Sequence, residues 1–574
     1  MNRKRAVILN TAIACAFFLV FLRLADLMIF KNKFWSERAK SQQVKTEDIQ
    51  ARRGGIYDRR GRPFAVNLEL ESLYCEPERV SCERGGVQKL SAILGMEPRA
   101  VQARLSQDRK FVWLNRKLAP EKADEVRKLG ISGLGFMSEA KRFYPKAELA
   151  AHVIGSVGSD NQPLEGIELR YDTYLRSAGG KVMVTRDASG KVLSSGEERE
   201  SRGNDVILTI DEGIQYIVEK ELDKAMLKWR AVAATAIMMD PYTGEILALA
   251  NRPSYDLNGI GSSDKHGIRN RAITDIYEPG STYKIIVGSA ALEEQLFGLD
   301  ASFDCSRGSI EVGGKVVRDA HRHGVLTFRE VFQKSSNVGS IQIGMKLGKE
   351  RIYEYSKRFG FGERTGIDLP GEVSGWIKKP EKWSATSIGA ISIGQEVAIT
   401  PLQIVRAYSV IANGGLLVQP HLVSEIRSPE GKTVYAYQPQ EQKRVIREST
   451  AKAFRDILKT VTEEGGTATA AAVDGNQVAG KTGTAQLIDT RTKRYSRDRF
   501  ISSFVGFVPA DKPKFALVVV ISEPKGQIYG GVVAGPVFRS IADQSLSYLN
   551  VPRDDAPMRN LTVTMQMNDS GARR

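Results

Sequence analysis

One apolar stretch near the N-terminus constrains this chain more than any other feature of its sequence. Residues 6 to 22 carry no charge, Arg23 and Asp26 interrupt the run, and residues 27 to 30 continue it. As a helix, the uncharged part would span roughly 25 Å, close to the hydrocarbon thickness of a bilayer. We therefore expect a membrane-spanning segment here, over residues 6 to 30 with its flank.

Three interpretations of this segment compete. A cleaved signal peptide needs small residues before the cut, yet a cut after Ala25 places Arg23 where a small residue belongs. Lipidation of Cys15 fits poorly, because the apolar run continues well past it. A retained signal anchor fits best: the basic residues 3 to 5 would keep residues 1 to 5 in the cytoplasm, with everything after the span outside. We expect a single-pass protein of the cytoplasmic membrane with an extracytoplasmic, periplasmic main part.

Length and composition indicate a globular protein of two or three domains. The chain has 574 residues, of which 42% are apolar and 26% charged. A net charge of +16 suits nucleic acid, an anionic membrane or an anionic polymer, or it simply solubilises the surface. The sequence contains no zinc-finger, RNP-type or bZIP pattern, so we expect no nucleic-acid partner.

The cysteines and histidines do not indicate a metal site. There are four Cys and five His, mostly scattered, with no C-x-x-C pair and no H-E-x-x-H. We therefore expect neither a metal nor a cofactor. For Cys75 and Cys82, in an extracytoplasmic setting, a short-loop disulfide and two free thiols are equally compatible with the sequence.

Turn signals and apolar periodicity predict how the rest of the chain is organised. Residues 31 to 50 are polar and predict a helical stalk, residues 86 to 130 have helical spacing, and residues 131 to 210 are rich in Gly and β-formers. From residue 226, one predicted hairpin (234 to 250) and another (500 to 521) enclose mainly helical stretches, including 284 to 296 and 401 to 413. Strands at both ends with helices between them predict one antiparallel sheet in an α+β fold. The polar residues 551 to 574 are expected to be disordered.

Ser281 is the first candidate for chemistry. It follows Glu278-Pro279-Gly280 and begins an apolar helical stretch, and an i, i+3 spacing puts Lys284 on the same helix face. A hydroxyl needs a base to become a nucleophile. Lys284 would serve only if burial and a nearby cation lowered its pKa from about 10.4 toward 7, roughly 4 to 5 kcal/mol.

The S-x-x-K pattern alone is weak evidence, since a capping Ser with a solvated Lys is the commoner explanation. What distinguishes Ser281 is the Pro-Gly turn before it and the apolar helix after it. The same pattern occurs at Ser138/Lys141, Ser262/Lys265, Ser449/Lys452 and Ser522/Lys525.

Two further motifs follow in order. In Ser335-Ser336-Asn337 a hydroxyl could relay a proton and the Asn amide could hold a carbonyl, although the triplet also suits a helix cap, and Ser159-Asp160-Asn161 is a similar decoy. The single K-T-G of the chain lies in a predicted strand, 478 to 486. There Gly483 would let a ligand backbone come close, and Lys481 with the hydroxyls of Thr482 and Thr484 would grip a carboxylate.

The K-T-G segment also satisfies the Walker A pattern, because Gly475 and Gly480 precede Lys481 and Thr482. A phosphate loop should follow a buried strand and begin a helix. Here the residues before the motif are mostly Ala and Thr, and the residues after it are predicted to continue as an extended strand rather than a helix. We therefore treat nucleotide binding as a minor alternative.

The ordered set of Ser281-x-x-Lys284, Ser335-x-Asn337 and Lys481-Thr482-Gly483 resembles the three motifs of penicillin-recognising serine enzymes. Other segments narrow the resemblance, which covers about residues 50 to 545, to the class B penicillin-binding proteins, most like the division-specific branch. These segments are RGGIYDRRG near the anchor, RFYP at 142 to 145, GIE at 166 to 168, SIGQ at 392 to 395, SSNVG at 335 to 339, TPLQ at 400 to 403 and GGVVAGPVFR near the end.

The resemblance implies an architecture: a non-catalytic, β-rich pedestal of the dimerisation type over residues 51 to 225 and a transpeptidase domain over 226 to 550, with a five-stranded antiparallel sheet flanked by helices. It also implies roles. Ser281 would attack the stem peptide's penultimate D-Ala with help from Lys284. The backbone N–H groups of Ser281 and Thr484 would form the oxyanion hole. Ser335 would shuttle protons and Asn337 would orient the acyl chain.

The resemblance further implies peptidoglycan cross-linking in septal wall synthesis, inhibition by β-lactams, and work beside a membrane-embedded glycan polymerase and other division proteins. Arg53, Asp58 and Glu168 would tie the pedestal to the catalytic unit through ion pairs. A side-wall transpeptidase, a carboxypeptidase or β-lactamase, and a β-lactam sensor or scaffold remain as alternatives. The sequence does not define the acceptor amine or the oligomeric state.

Overall fold

The computed structural model describes residues 3–49, 52–81, 85–176, 180–186, 192–195, 202–262, 265–489, 491–492 and 494–553. Cys82 and residues 554 to 574 lie outside these ranges, so the disulfide and most of the polar tail stay predictions. The α-helices are α1 (Arg3–Ala25), α2 (Asn32–Gln43), α3 (Gly86–Leu94), α4 (Pro98–Leu105), α5 (Pro120–Lys128), α6 (Ala151–Ile154), α7 (Gly166–Arg170), α8 (Asp172–Leu175), α9 (Glu212–Trp229), α10 (Lys265–Ile268), α11 (Arg271–Thr274), α12 (Lys284–Glu293), α13 (Phe328–Gln333), α14 (Asn337–Leu347), α15 (Lys349–Arg358), α16 (Ser387–Ser392), α17 (Pro401–Ala412), α18 (Glu448–Lys459), α19 (Gly530–Val533) and α20 (Gly535–Tyr548).

The strands are β1 (Val44–Ile49), β2 (Ile56–Tyr57), β3 (Pro63–Cys75), β4 (Val112–Leu118), β5 (Leu134–Phe143), β6 (Gly180–Arg186), β7 (Val192–Ser195), β8 (Asp205–Leu208), β9 (Ala233–Met239), β10 (Ile246–Arg252), β11 (Ser302–Asp304), β12 (Ser309–Val312), β13 (Lys315–Arg318), β14 (Val325–Thr327), β15 (Trp376–Ile377), β16 (Val397–Ala398), β17 (Leu416–Leu417), β18 (Val423–Arg427), β19 (Thr433–Ala436), β20 (Lys443–Arg444), β21 (Ala479–Ile488), β22 (Tyr495–Val508) and β23 (Phe515–Ser522). Short 3₁₀ turns include Gly280–Tyr283, directly before α12.

Helix α1 and the π-helical turn Asp26–Phe30 form the N-terminal apolar segment. Within it, Val7–Ile29 has a mean hydropathy of 2.2 and is the one helix in the described part of the chain that is long and apolar enough to cross a membrane. The Asp26 carboxylate lies 3.0 Å from both the Arg23 guanidinium and the Lys31 ammonium. The segment is consistent with a single-pass membrane anchor.

The predicted helical stalk is helical only in part. Helix α2 ends at Gln43, and β1 follows it and pairs antiparallel with β6, with Val44 opposite Thr185 and Ile49 opposite Gly180. Strand β7 extends this small sheet. The pairing partner lies far along the chain, so local polarity did not reveal the strand.

The smaller of two compact units contains residues 1–54, 67–141 and 176–204. Its core packs β3 and β4 against α3, α4 and α5 through Leu73, Leu90, Val101, Leu114 and Val126, which are almost completely buried. The stretch from 86 to 130 is therefore not helical throughout. Residues 112 to 118 form a strand, because their pairing with β3, with Trp113 opposite Tyr74, buries alternate side chains.

The larger unit contains residues 55–66, 142–175 and 205–574. Its central sheet has the order β10-β9-β23-β22-β21, and all neighbouring strands are antiparallel. The two predicted hairpins meet where β9 pairs with β23, with Met239 opposite Ala516. The predicted α+β fold, with one five-stranded antiparallel sheet flanked by helices, is confirmed.

Each face of this sheet is covered by helices. On one face Ile237 and Val518 belong to the core that includes α12 and α17. On the other face Phe504 and Leu517 pack with residues of α9 and α20. Burial on both faces explains why β9 and β23 read as continuous apolar runs rather than alternating ones.

Side-chain caps define where helices α17 and α9 begin. Thr400 caps α17 in a reciprocal box with Gln403, and Pro401 occupies the first turn. The Asp211 carboxylate caps α9 by accepting from the backbone N–H groups of Gly213 and Ile214. Each cap satisfies backbone donors that the first helical turn leaves free.

The ion pairs expected from Asp58 and Glu168 lie inside the larger unit. The Asp58 carboxylate pairs with Arg62 at 2.6 Å and accepts from the backbone N–H of Glu212 at 3.2 Å. Glu168 pairs with Arg142 at 2.6 Å, with both side chains buried. Of these contacts, the one between Asp58 and Glu212 joins segments 154 positions apart along the chain.

Candidate active site

Ser281 lies in the 3₁₀ turn that leads directly into α12. Gly280 adopts a φ of +54°, and its N–H donates to the carbonyl of Gly394 at 3.1 Å. Gly394 is the third residue of the SIGQ segment, and a side chain there would collide with the Gly280 carbonyl. The turn that presents Ser281 is therefore held by a backbone contact that only glycine permits at position 394.

Lys284 brings two of the three motifs together. Its Nζ donates to the carbonyl of Ser335 at 2.7 Å, to the carbonyl of Ser336 at 3.2 Å and to Oδ1 of Asn337 at 2.9 Å. The hydroxyl of Ser335 lies 3.5 Å from the same Nζ. The first turn of α12 and the start of α14 thus share one polar cluster.

Burial sets the protonation of this lysine. Lys284 is completely buried, and burial lowers its pKa to about 7, while the negative charge of Asp319 acts in the opposite direction. A substantial fraction of the amine is therefore neutral near neutral pH, which is the state a general base requires.

The three residues of the Ser335-Ser336-Asn337 triplet make different contacts. Ser336 caps α14 by accepting from the N–H of Gly339 at 3.0 Å, as the helix-cap interpretation predicts. Ser335 has a φ of +58°, a region that non-glycine residues rarely adopt. In this strained conformation the Ser335 carbonyl contacts Lys284. Ser336 is therefore the structural residue of the triplet, whereas the side chains of Ser335 and Asn337 contact Lys284.

Asp319 holds the triplet, and sequence reasoning missed it. Its carboxylate accepts from Oγ of Ser336 at 2.9 Å and from the backbone N–H groups of Asn337 and of Val338, the latter at 3.1 Å. Nothing in the local sequence marks this residue, because it acts on groups 17 to 19 positions away. It fixes the start of α14 and places a negative charge near Lys284.

A second carboxylate outside the motifs supports the turn that carries Ser281. Glu278 accepts from the backbone N–H of Glu396 at 3.0 Å and from the hydroxyl of Tyr495 at 3.0 and 3.1 Å. Burial raises the pKa of the Glu278 carboxyl. The residue just before Pro279 is thereby tied both to the segment after SIGQ and to the start of β22.

The K-T-G motif lies on β21, the edge strand of the sheet, as predicted. Lys481 is almost completely buried, and its Nζ lies 3.5 Å from Oγ1 of Thr482, which in turn lies 3.2 Å from Oγ1 of Thr467. Burial, and then the charge of Lys284, lower the pKa of Lys481 well below its usual range. Two buried amines so arranged would both gain from an incoming carboxylate.

Gly483 is constrained by the protein itself. A Cβ at this position would meet the Ser503 hydroxyl, the carbonyl of Pro279 and the Thr282 methyl group. Strand β21 therefore lies directly against the nucleophile turn, and the absence of a side chain permits that approach. The next residue, Thr484, accepts from the N–H of Gly530 at 3.1 Å, which ties the GGVV segment to the same strand.

The Walker A alternative is contradicted by this geometry. Lys481 and Thr482 lie within β21 and pair with Val505 and Phe504 of β22. A phosphate loop requires a helix to begin at these residues so that its N–H groups point at the phosphate. The strand leaves no such N-terminus.

The S-x-x-K decoys that the structure describes have other settings. Ser449 and Lys452 are both exposed on α18, and Ser138 with Lys141 lies on strand β5. Of the candidate pairs whose residues are all described, Ser281 and Lys284 form the one that meets the second and third motifs. The structure thus brings Ser281, Lys284, Ser335, Asn337 and the residues 481 to 484 to one edge of the sheet.

Comparisons with known proteins identify two domains in the chain. Residues 234–543 match the penicillin-binding protein transpeptidase domain, and residues 48–208 match the penicillin-binding protein dimerisation domain. The chain is 35% identical to "Probable peptidoglycan D,D-transpeptidase PenA" of Neisseria meningitidis, covering 96% of this chain and 93% of that protein. It is 32% identical to "Peptidoglycan D,D-transpeptidase FtsI" of Escherichia coli, covering 93% and 90%.

A solved structure extends the comparison. Penicillin-binding protein 3 from Mycobacterium tuberculosis, complexed with aztreonam, superposes with a TM-score of 0.70 at 29% identity, covering 89% of this chain and 98% of that one. Fold and matches together define a serine-type transpeptidase. The chain belongs to the class B penicillin-binding proteins, with a dimerisation domain followed by a transpeptidase domain.

Proposed function

We propose that this protein is a peptidoglycan D,D-transpeptidase that cross-links stem peptides through a seryl ester on Ser281 and serves septal wall synthesis. The observation that carries the proposal is the meeting of the Ser281 turn, the buried Lys284 cluster and the edge strand with Lys481. The relatives named as peptidoglycan D,D-transpeptidases support the substrate class, and the likeness to the division-specific branch supports the septal role.

In acylation, Ser281 attacks the carbonyl of the penultimate D-Ala of a donor stem, and the neutral amine of Lys284 accepts the hydroxyl proton. The backbone N–H groups of Ser281 and Thr484 stabilise the negative oxygen of the tetrahedral intermediate. Ser335, whose hydroxyl lies 3.5 Å from Lys284 Nζ, relays the proton to the departing amine of the terminal D-Ala. The C–N bond breaks and an ester remains on Ser281.

In deacylation, the amine of a neighbouring stem attacks this ester. Its proton returns through Ser335 and then Lys284 to the Ser281 oxygen, and an amide cross-link forms between the two stems. Asn337 orients the acyl chain, and Lys481 with Thr482 holds the carboxylate of the donor before cleavage. Gly483 keeps the edge strand close enough for the donor backbone to lie beside it.

The same chemistry explains inhibition by β-lactams. A β-lactam presents a strained amide and a carboxylate to the groups that would take D-Ala-D-Ala, so Ser281 opens the ring and retains the acyl group. The penicillin-binding domain match fits both stem peptides and β-lactams as ligands. A carboxypeptidase or β-lactamase would instead pass the acyl group to water.

The remaining parts of the chain have supporting roles in this proposal. Residues 6 to 30 anchor the protein in the cytoplasmic membrane with residues 1 to 5 inside and the catalytic domain in the periplasm. Residues 31 to 50 form the juxtamembrane stalk, residues 51 to 225 form the non-catalytic pedestal, and residues 226 to 550 form the transpeptidase domain. The anchor contacts a membrane-embedded glycan polymerase among other division proteins.

The decisive experiment labels the full-length protein in detergent with a fluorescent penicillin and compares the wild type with Ser281→Ala. We expect a stable covalent label in the wild type and none in the variant, with both proteins equally folded by circular dichroism. A label that decays within minutes would favour a β-lactamase. A folded wild type without any label would favour a scaffold and would contradict the proposal.

A further inference from the structure

A second cavity of the larger unit lies apart from the three motifs. It has a volume of about 500 Å³ and is lined by the end of α15, the loop that follows, α17 and the strand pair β17–β20. Tyr408 of α17 donates to the carbonyl of Thr282 at 3.1 Å, whereas Arg406, two positions earlier, lines the cavity. Two positions along a helix turn the side-chain direction by about 200°. The cavity therefore lies on the other side of α17 from the turn that carries Ser281.

The lining of this cavity, which we call the cationic cavity, is strongly basic. Six of its fourteen lining residues are Lys or Arg, and two are Glu. Lys357 pairs with Glu363 at 2.6 Å, and Arg358 pairs with Glu354 of its own helix, so these charges largely cancel. The other acid of the lining is the exposed Glu441. Positive charge remains in excess, and a concave surface lined by one sign of charge attracts ions of the opposite sign.

The guanidinium of Arg406 reaches the wall of the cationic cavity with part of its donor set unused. Its Nε donates to the carbonyl of Val418 at 2.6 Å, but neither terminal nitrogen has a hydrogen-bond acceptor or an ion pair among the residues that the structure describes. Gly360 lines the cavity, and a Cβ on it would lie 3.1 Å from Nη1 of Arg406. Burial lowers the pKa of Arg406 to about 10, while the charges of Glu372 and Glu363 act in the opposite direction, so the group is cationic at neutral pH. Two free terminal nitrogens match two oxygens of one anionic group.

Lys443 belongs to the same wall. Strands β17 and β20 pair antiparallel with Leu417 opposite Lys443, and residues directly opposite each other point to the same face of a ladder. The Cδ2 atom of Leu417 would lie 3.7 Å from the Cβ at Gly360 that also meets Arg406. The Lys443 side chain therefore extends from the face of the strand pair that lies toward Arg406, whereas Arg444, the next residue, points to the other face. Lys443 is exposed and has no ion pair within the described part of the chain.

We propose that the cationic cavity binds a phosphate-bearing anion, with the terminal nitrogens of Arg406 holding one phosphate group and Lys443 adding its charge from the facing strand pair. This site is separate from the transpeptidation steps above, which use none of its residues. A volume of about 500 Å³ exceeds that of a single phosphate, so the ligand carries a further group. That group is a second phosphate in a soluble diphosphate, or the glycerol of a lipid headgroup. An acidic protein segment fits less well, because the free guanidinium edge lies in a cavity rather than on a flat surface.

The test titrates the full-length protein in an uncharged detergent by isothermal titration calorimetry. One probe is sodium pyrophosphate, and the other is glycerophosphoglycerol, the water-soluble headgroup of phosphatidylglycerol. We expect one binding site per chain, and the tighter probe identifies the source, either a soluble diphosphate or a lipid headgroup. Lys443→Gln changes an exposed side chain and should weaken binding of that probe about fivefold. Arg406→Gln/Lys443→Gln should lose measurable binding, and if this double variant does not fold, Lys443→Gln decides alone.

The matched control is Lys512→Gln/Lys514→Gln. It removes two exposed cations of the same unit that have no ion pair within 4.0 Å among the described residues, and it should bind like the wild type. Failure of both probes to bind the wild type, unchanged affinity in Lys443→Gln, or an equal loss in the control would overturn the site. Tighter binding of an oligoglutamate peptide than of either probe would also overturn it, in favour of a protein docking surface. Penicillin labelling of the same samples reports separately on the proposed function.

Discussion

At the scale of single residues, the proposed chemistry depends on how the surroundings of two buried lysines change their pKa values. Lys284 and Lys481 are both removed from water. Lys284 has three oxygen acceptors within 3.2 Å, whereas Lys481 has, among the residues that the structure describes, one hydroxyl acceptor at 3.5 Å. Hydrogen bonds to oxygen favour the charged form of an amine, and burial disfavours it. The balance lowers the pKa of Lys284 to about 7, and burial, followed by the charge of Lys284, lowers the pKa of Lys481 well below its usual range.

The pKa of Lys284 predicts the pH dependence of acylation. Burial lowers this pKa to about 7, so the neutral base predominates above that pH and the ammonium below it. We expect the second-order rate of penicillin acylation to rise about tenfold from about pH 6 to about pH 8. Stopped-flow measurement of labelling tests this, and Lys284→Arg should show no acylation at either pH. A flat profile in the wild type would contradict a lysine base.

Asp319 is expected to act as a positioning residue. Asp319→Asn would replace charge-assisted hydrogen bonds to the start of α14 with weaker ones, at a cost of about 1 to 3 kcal/mol. We expect the acylation rate to fall about tenfold to a hundredfold. Because the Asp319 charge raises the pKa of Lys284, the midpoint of the pH–rate profile should also move to lower pH.

The pH midpoint distinguishes this role from a purely structural one. Glu311→Gln removes an exposed carboxylate from β12, the strand that pairs with β13 just before Asp319, and serves as the control, with the rate and midpoint expected to stay unchanged. A lower rate in Asp319→Asn with an unmoved midpoint would mean that the carboxylate only holds the helix start.

At the scale of elements, the site depends on the close approach of β21 to the turn before α12. Gly483→Ala would drive a Cβ into the Ser503 hydroxyl and bring it to 3.0 Å from the Pro279 carbonyl and the Thr282 methyl group, so the strand or the turn must shift by a few tenths of an ångström. We expect penicillin acylation to fall by about two orders of magnitude, with the far-UV circular dichroism unchanged. Gly298→Ala, where a Cβ meets nothing within 4 Å, is the control and should acylate normally. Normal acylation by Gly483→Ala would show that the strand tolerates the shift.

Helix α17 begins with a buried side-chain cap whose contribution to stability can be measured. Thr400→Ala removes the capping hydroxyl that accepts from the N–H of Gln403, and the buried helix start offers little water to replace it. We expect the free energy of unfolding to fall by about 1 to 2 kcal/mol in a denaturant titration. Thr400→Ser keeps the cap and should lose much less. Equal losses in the two variants would point to the threonine methyl group instead.

At the scale of the whole molecule, the N-terminal helix predicts where the protein is found. We expect the full chain to stay in the membrane fraction after carbonate washing. Deletion of residues 1 to 30 should release a soluble protein that still binds penicillin, because the motifs all lie in the larger unit. Mass spectrometry of the membrane form decides the alternative: a mature chain that begins after Ala25 would mean a cleaved signal peptide.

Much of this organisation was predictable because its signals are local. Several features depend only on residues that are close together in the sequence. They are the apolar run of α1, the hairpin turns next to β9 and β23, and the capping box of α17. The three motifs could be recognised as a set through their order along the chain. Strands β1 and β4 were missed, because pairing with distant strands overrode a helical or polar local pattern.

The sequence by itself determined the N-terminal apolar helix, the α+β class, the antiparallel sheet formed from both ends of the larger unit, and the order of the three motifs. Tertiary structure alone decided what surrounds those residues. The Glu278 carboxylate meets a hydroxyl 217 positions away, and Asp319 meets the cap of a helix that it does not belong to. It also decided that Gly483 lies against the turn that carries Ser281 and that Lys284 is completely buried. Periodicity and capping are short-range properties, whereas burial and the approach of charges exist only after distant segments have packed.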